Sequence, residues 1–419
     1  MKFVNSIKYI NSFEKAPEAA SISQKRIRDL CSALGRVNLG IKYISLPKCT
    51  AGHACAIMLE SVIKTAGYKV GRITSVADFD PRASVYIDRE LANIDDFNKC
   101  VAEIRAYVKL NREETFYKEE IVFALSLLLC KLSDCVYVIL EGLSDKSYSI
   151  DAICAPYDLI IMPTVYGTTD AAETIRPQCE AIRRGTREVI SGNQKSEIYN
   201  TISNACAMSG VRLYIPVKSQ FSVTELSSRK LAFEYGGKDG YLLRSPSRIL
   251  RDCAMTVIEA SLAIRRDGVK LPWNAISQGL AAVTDTACFD MISLSPVIIA
   301  DAASNAEEIG LLLKTCDDVG IKDKKFSVCV KCASTEELDA VVNALDGIEI
   351  DRLMLVSNGE ILADDIRYDA DEISIFKNTL DASKDIYSSI SAQKSSLLCL
   401  GSLDFAISMK AELVKLMSF

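Results

Sequence analysis

The chain has 419 residues, 49% of them hydrophobic and 25% charged. That is an ordinary globular composition for two or three domains, and it excludes disordered, collagen-like and low-complexity chains. Lys and Arg total 49 against 55 Asp and Glu, a formal charge of −6, so no basic groove for nucleic acid is expected. The one histidine, His53, excludes His-rich metal sites and is the only imidazole a catalytic arrangement could use.

Fifteen cysteines are scattered without regular spacing. The segment MKFVNSIKYINSF lacks the apolar core of a signal peptide, and the longest apolar stretch, Ile121 to Leu129, is far short of a membrane span. A cytoplasmic chain with reduced thiols and no membrane partner is expected. The one CxxC, Cys329 to Cys332, has no second pair to complete a zinc ribbon. It ends the apolar run FSVCV, which places Cys329 in a core.

Along the chain, amphipathic spacing predicts helices through Ile7, Ile10 and Phe13 and through Ile27, Leu30 and Leu34. Ile41 to Ser45 is a predicted strand, Pro47 to Gly52 a turn, Ala54 to Ala66 a helix stopped by Gly67, and Lys69 to Ser75 a second strand. Together these form a strand–loop–helix–strand unit of the βαβ kind. Helices follow at Phe97–Leu110 and Ile121–Leu132, strands at Val136–Glu141 and Asp158–Pro163, and helices at Glu173–Arg184 and Ser196–Ser209. Residues 211–245 change to β-like alternation with Gly236, Gly237 and Gly240 at turns, before helices at Ser247–Ile264 and Asn274–Ala282. The strand–helix pattern then restarts: strands at Pro296–Asp301, Phe326–Val330, Arg352–Val356 and Leu397–Leu400, helices at Glu307–Thr315 and Glu336–Leu345. Alternation of this kind argues for parallel sheets covered on both faces. The restart divides the chain into a larger domain, 1–290, and a smaller one, 291–419.

Several strings, in order, carry a resemblance. Ala56-Ile-Met-Leu-Glu-Ser-Val-Ile-Lys-Thr-Ala-Gly-Tyr-Lys-Val-Gly71, Thr74-Ser75, Thr115-Phe-Tyr117, Leu140-Glu-Gly142, Ala300-Asp-Ala-Ala-Ser-Asn305 and Gly401-Ser-Leu403 are similar to successive motifs of the folylpolyglutamate synthase/dihydrofolate synthase family, a branch of the Mur ligase superfamily. The resemblance runs from about residue 3 to about 405. It implies an α/β protein with a larger N-terminal P-loop-type domain and a smaller Rossmann-like C-terminal domain. It also implies the family's chemistry: ATP activates a folate or γ-glutamyl carboxylate as an acyl phosphate, and the amine of glutamate attacks it with Mg²⁺ present. Fold by itself does not carry activity.

The motif positions depart from the family where the chemistry sits. Its phosphate loop, G-T-N-G-K-G-S-T, falls on Lys48 to Cys55. Gly52 stands for the lysine that reaches the β/γ-phosphates, His53 for a glycine, and Ala54 and Cys55 for the hydroxyl pair that serves the metal. Cys49, His53 and Cys55 lie within seven residues, but their spacing matches no familiar zinc site. Ser75 and Glu141 occupy the family's two Mg²⁺-binding positions. Asp170 replaces a metal-binding His, and Gly185 replaces the Lys that is carbamylated to bridge a metal. Asp252 replaces an Asn that holds nucleotide, where a carboxylate would repel phosphate. Ala287 to Asp290 replaces G-R-L-E and loses its Arg. Asp301 is retained, while Ser304 replaces a His. Arg183, Arg184 and Arg187 form a basic cluster that reads as a solvated helix end, with an acidic ligand as the alternative.

The expected function is a folylpolyglutamate-synthase-like pseudoenzyme with a degenerate P-loop and a binding or regulatory role. Gly52, His53, Asp252 and Asp301 mark its former nucleotide site. No cofactor is expected, and its partner would be a protein or a small acidic ligand. The alternative is an ATP- and Mg²⁺-dependent amide ligase rebuilt on Ser75, Glu141, Asp170 and Asp301.

Overall fold

In the computed structural model, residues 2–17, 22–77, 79–143, 150–167, 171–321, 325–332, 334–357, 361, 372–393 and 396–418 are described. Contacts group them into two units. One holds residues up to Val165, 171–216 and Ala254–Leu280. The other holds Tyr166, Gly167, Val217–Cys253 and the chain from Ala281 onward.

The first unit is built on a sheet whose central strands are buried on both faces. Its elements, in order, are α1 (Phe3–Asn11), α2 (Gln24–Ala33), β1 (Lys42–Leu46), α3 (Thr50–Thr65), β2 (Val70–Ile73), β3 (Val85–Ile87), β4 (Glu90–Leu91), α4 (Ile94–Leu110), α5 (Lys118–Leu132), β5 (Tyr137–Glu141), β6 (Leu159–Met162), α6 (Ala171–Ala181), β7 (Glu188–Ser191), α7 (Ser196–Ser209) and β8 (Arg212–Tyr214). The strands form one eight-stranded sheet in the order β4-β3-β2-β5-β1-β6-β7-β8. Pairing is parallel from β2 to β8, with β3 and β4 antiparallel at one edge. Tyr137–Glu141 is buried at every position, as a strand sandwiched between helical layers must be. Helix α3 is buried from Thr50 through Ile63, so the polar residues within it need partners inside the protein.

That helix begins four residues before the predicted Ala54. Cys49 has extended backbone and its Sγ accepts the Gly52 N–H at 3.2 Å. A thiol here does what Ser, Thr or Asp usually does at a helix start, and Gly52 is a helical residue rather than part of a turn.

The second unit contains two sheets. Residues 211–245 do not form a single β region: Arg212–Tyr214 joins the large sheet, and the remainder makes its own antiparallel sheet of β9 (Phe221–Ser227), β10 (Lys230–Tyr235) and β11 (Lys238–Leu243). Phe233 stacks between Phe221 and Tyr241, with ring centroids 4.8 and 5.2 Å apart. The chain returns to the first unit through α8 (Arg248–Arg266), from Ala254 onward, and α9 (Trp273–Ala281), up to Leu280. The second unit then continues with β12 (Asp290–Leu294), β13 (Val297–Asp301), α10 (Ala306–Asp318), β14 (Lys325–Lys331), α11 (Thr335–Ala344), β15 (Glu349–Val356), β16 (Glu372–Phe376), α12 (Thr379–Gln393), β17 (Ser396–Leu400) and α13 (Leu403–Met417). The sheet order is β12-β13-β17-β14-β15-β16, parallel except for β12.

Period-two alternation sorts the strand residues to opposite faces. Val328, Val330, Leu398 and Leu400 pack with Leu312 and Leu338 on one face. Cys329, Cys399 and Ala300 pack with Ile386, Phe405 and Met409 on the other. Cys329 and Cys332 fall in different clusters, so the CxxC serves packing.

The two units are therefore not divided by the single cut at 290/291 that the sequence suggests. Residues from Val217 to Cys253 belong with the later chain because they are tied to it: Ser245 Oγ donates to the Cys288 carbonyl at 3.0 Å, and Arg248 forks onto Asp318 through two bonds of 2.8 Å.

Candidate functional site

In open α/β sheets, ligands bind beyond the carboxyl ends of the strands. At that end of the first unit, β1 delivers the chain through Pro47 and Lys48 into α3, β2 delivers Ser75, and β5 ends on Glu141. His53, in the first turn of α3, and Glu141 are both buried, and His53 Nδ1 lies 2.7 Å from Glu141 Oε1. The second oxygen of Glu141 accepts from Arg72 Nη1, also at 2.7 Å. Arg72, on β2, donates through Nε to Glu60 Oε2 at 2.8 Å and lies 4.5 Å above the Tyr86 ring. Glu60 Oε1 accepts the Arg89 N–H at 2.7 Å.

The result is a continuous buried network, His53–Glu141–Arg72–Glu60, closed at its far end by a backbone amide. Burial by itself would raise the Glu141 carboxyl, but His53 and Arg72 outweigh it and hold the group down at about 2. Burial would likewise lower Arg72, and Glu141 and Glu60 outweigh that, keeping the guanidinium charged.

Two glycines at this end make close approaches to the loop. A Cβ on Gly52 would stand 2.2 Å from the Pro47 carbonyl oxygen. A Cβ on Gly142 would stand 2.3 Å from Lys48 Cβ, so Lys48 lies directly over the end of β5. The Lys48 amino group is 3.4 Å from Ser75 Oγ, which is exposed.

Solved structures of the same architecture are folylpolyglutamate synthases. The enzyme from Thermotoga maritima superposes with a TM-score of 0.77 at 17% identity, over 99% of this chain and 96% of that one. The Mycobacterium tuberculosis enzyme complexed with ADP gives 0.78 at 16%, over 98% and 99%. The apo form from L. casei gives 0.76 at 19%, over the whole of both chains. No sequence profile of a known family and no curated protein matches the chain. The chain has the folylpolyglutamate synthase fold.

Within that fold, Glu141 as placed does not fit the Mg²⁺ that the resemblance implies. Mg²⁺ requires oxygen ligands at close octahedral spacing, yet both Glu141 oxygens are already taken, one of them by a guanidinium. Among the described residues, no three His, Cys, Asp or Glu side chains are placed to hold a metal ion. Asp170 lies outside the described residues. Gly185 has φ +106° and faces Pro156, a backbone that lysine adopts only at a cost.

Asp252 and Asp301 belong to the second unit. Asp252 accepts the Tyr166 hydroxyl at 2.9 Å. Asp301 is buried and accepts two backbone amides, Phe289 at 2.6 Å and Ala303 at 2.8 Å. Burial pushes its carboxyl up to about 7, although both amides pull it down. Its bonds brace a turn in which Ala287 and Phe289 both have positive φ, 54° and 53°. Ser304 bonds to Glu308.

Arg72 and Glu60 are the members of the network that sequence reasoning missed. The available signal was two opposite charges inside apolar stretches, Arg72 in a buried strand and Glu60 in a buried helix. Charges in such places are kept when they are paired.

Proposed function

We propose that the chain is a non-catalytic, folylpolyglutamate-synthase-like protein with a binding or regulatory role, whose partner is a protein or a small acidic ligand. The observation that carries this reading is the occupation of Glu141. Its two oxygens are engaged by His53 and Arg72 at 2.7 Å each, so the carboxylate that would serve a metal serves an internal cation instead. The Gly52 position supports the same reading, because a lysine side chain there would begin inside the Pro47 carbonyl.

Given ATP, Mg²⁺, glutamate and a reduced folate, the purified protein is expected to release no phosphate above background, and calorimetry with ATP is expected to give no Mg²⁺-dependent heat. Gly52→Lys is not expected to restore turnover, since the metal ligands would still be missing. Substrate-dependent phosphate release that Glu141→Ala abolishes would overturn the reading in favour of the ligase built on Ser75, Glu141, Asp170 and Asp301.

A further inference from the structure

We propose that the amino-terminal ends of β1, β5, β6 and β7, at the opposite edge of the large sheet from the site above, form a binding site for a small oxyanion. The site is a pocket of about 50 Å³ whose lining includes Tyr137, Asp158, Arg187, Arg212, Arg266 and Asp267.

The decisive observation is Tyr137. The residue is 1% exposed, and its hydroxyl is buried without a hydrogen-bond partner. A buried hydroxyl left unsatisfied costs about 1–3 kcal/mol, so an orphan on a residue that lines a pocket marks a place for an acceptor. The groups around it are arranged to meet an anion. Glu188, 5% exposed, takes Arg266 through Nε and Nη2 and Arg212 through Nη2 at 3.2 Å. Asp267 takes Lys42 at 2.5 Å and also pairs with Arg187. Asp158 accepts the Tyr43 amide at 2.9 Å. Two carboxylates of the lining thus fix four cations, three of them lining arginines. A guanidinium has five donors; Arg266 spends two on Glu188, and Arg187 and Arg212 each spend one in these pairs. An oxyanion would accept from the remainder and from Tyr137 together.

Size selects the class. A water takes roughly 10–15 Å³, so the pocket has room for a group of a few heavy atoms, such as a carboxylate or an inorganic phosphate. The lining sets Arg187, Arg212 and Arg266 against Asp158, Glu188 and Asp267, so the spare guanidinium donors rather than net charge favour an oxyanion, and the orphan hydroxyl disfavours an apolar group.

The test is thermal denaturation of the full chain at constant ionic strength, with sodium chloride replaced stepwise by sodium acetate or sodium phosphate. A saturable rise in Tm is expected with at least one. Response to acetate identifies a carboxylate site, and response to phosphate alone identifies an inorganic oxyanion site. Tyr137→Phe should weaken the apparent Kd about fivefold and leave the anion-free Tm unchanged or higher, because it removes an orphan group. Arg212→Gln, whose side chain is 69% exposed, should fold normally and weaken the Kd about tenfold. Glu141→Gln should leave the anion titration unchanged, which separates this site from the one at the other edge. Equal Tm curves in chloride, acetate and phosphate would overturn the proposal, as would titrations unaltered in both pocket variants. A crystal soaked in the responding anion that shows only water at the Tyr137 hydroxyl would also overturn it.

Discussion

At the scale of single residues, Arg72 is the side chain on which the upper edge of the first unit depends. It is the shared cation for two buried carboxylates, Glu60 and Glu141. Removing one partner of a buried ion pair leaves uncompensated charge and costs about 3–5 kcal/mol. Arg72→Met should therefore lower unfolding free energy by that order in urea titration, and Glu141→Gln in the same background should recover part of the loss. Glu141 also sets an acid limit. Its folded-state value of about 2 lies below the ordinary 4.5, so the stability it contributes is complete above about pH 4.5 and is lost as pH falls through about 2. The shift corresponds to roughly 3 kcal/mol. A pH series of urea midpoints should show this loss in the wild type and a flatter profile in Glu141→Gln. His53 and Glu141 were each legible in the sequence as site positions; their bond to one another was not, because 88 residues separate them.

Among the elements, α3 shows how local chemistry and tertiary contact divide the work. Its body is legible from apolar residues between Ala54 and Ala66, but its first turn is not. Gly52 reads as a helix breaker, and cysteine is not among the strong capping residues. The close approach of Pro47 decides the matter, since only a residue without a Cβ fits at position 52. Helix propensity would favour Gly52→Ala by up to about 1 kcal/mol. The contact of 2.2 Å to a backbone oxygen opposes it, and overpacking of this kind costs about 1–3 kcal/mol. The steric term should win, and Gly52→Ala should lower Tm. An increase would show that the loop yields easily.

Across the whole molecule, the thiols give a direct check on the packing. All fifteen cysteines are free, and only Cys49 and Cys179 are not buried. Burial pushes Cys179 up to about 12, which slows it as a nucleophile because the thiolate is the reacting form. A thiol reagent should label at most these two quickly in the native chain and all fifteen after denaturation. Rapid native labelling of more than two would contradict the cores described. Among the described residues, no helix is long and apolar enough to cross a membrane.

Strand–helix alternation and the separation of Tyr137–Glu141 and Phe326–Val330 into different sheets were determined by the sequence. Each depends on residue type and local period, which a chain carries wherever it folds. Tertiary structure alone decided that Val217–Cys253 joins the later unit, that Arg72 closes on Glu141, that Asp301 braces a strained turn, and that Tyr137 is left with an unpaired hydroxyl. These facts rest on which distant groups share a buried volume. The cost of burying charge and polar atoms fixes those pairings only once the sheet order has brought β1, β2 and β5 side by side.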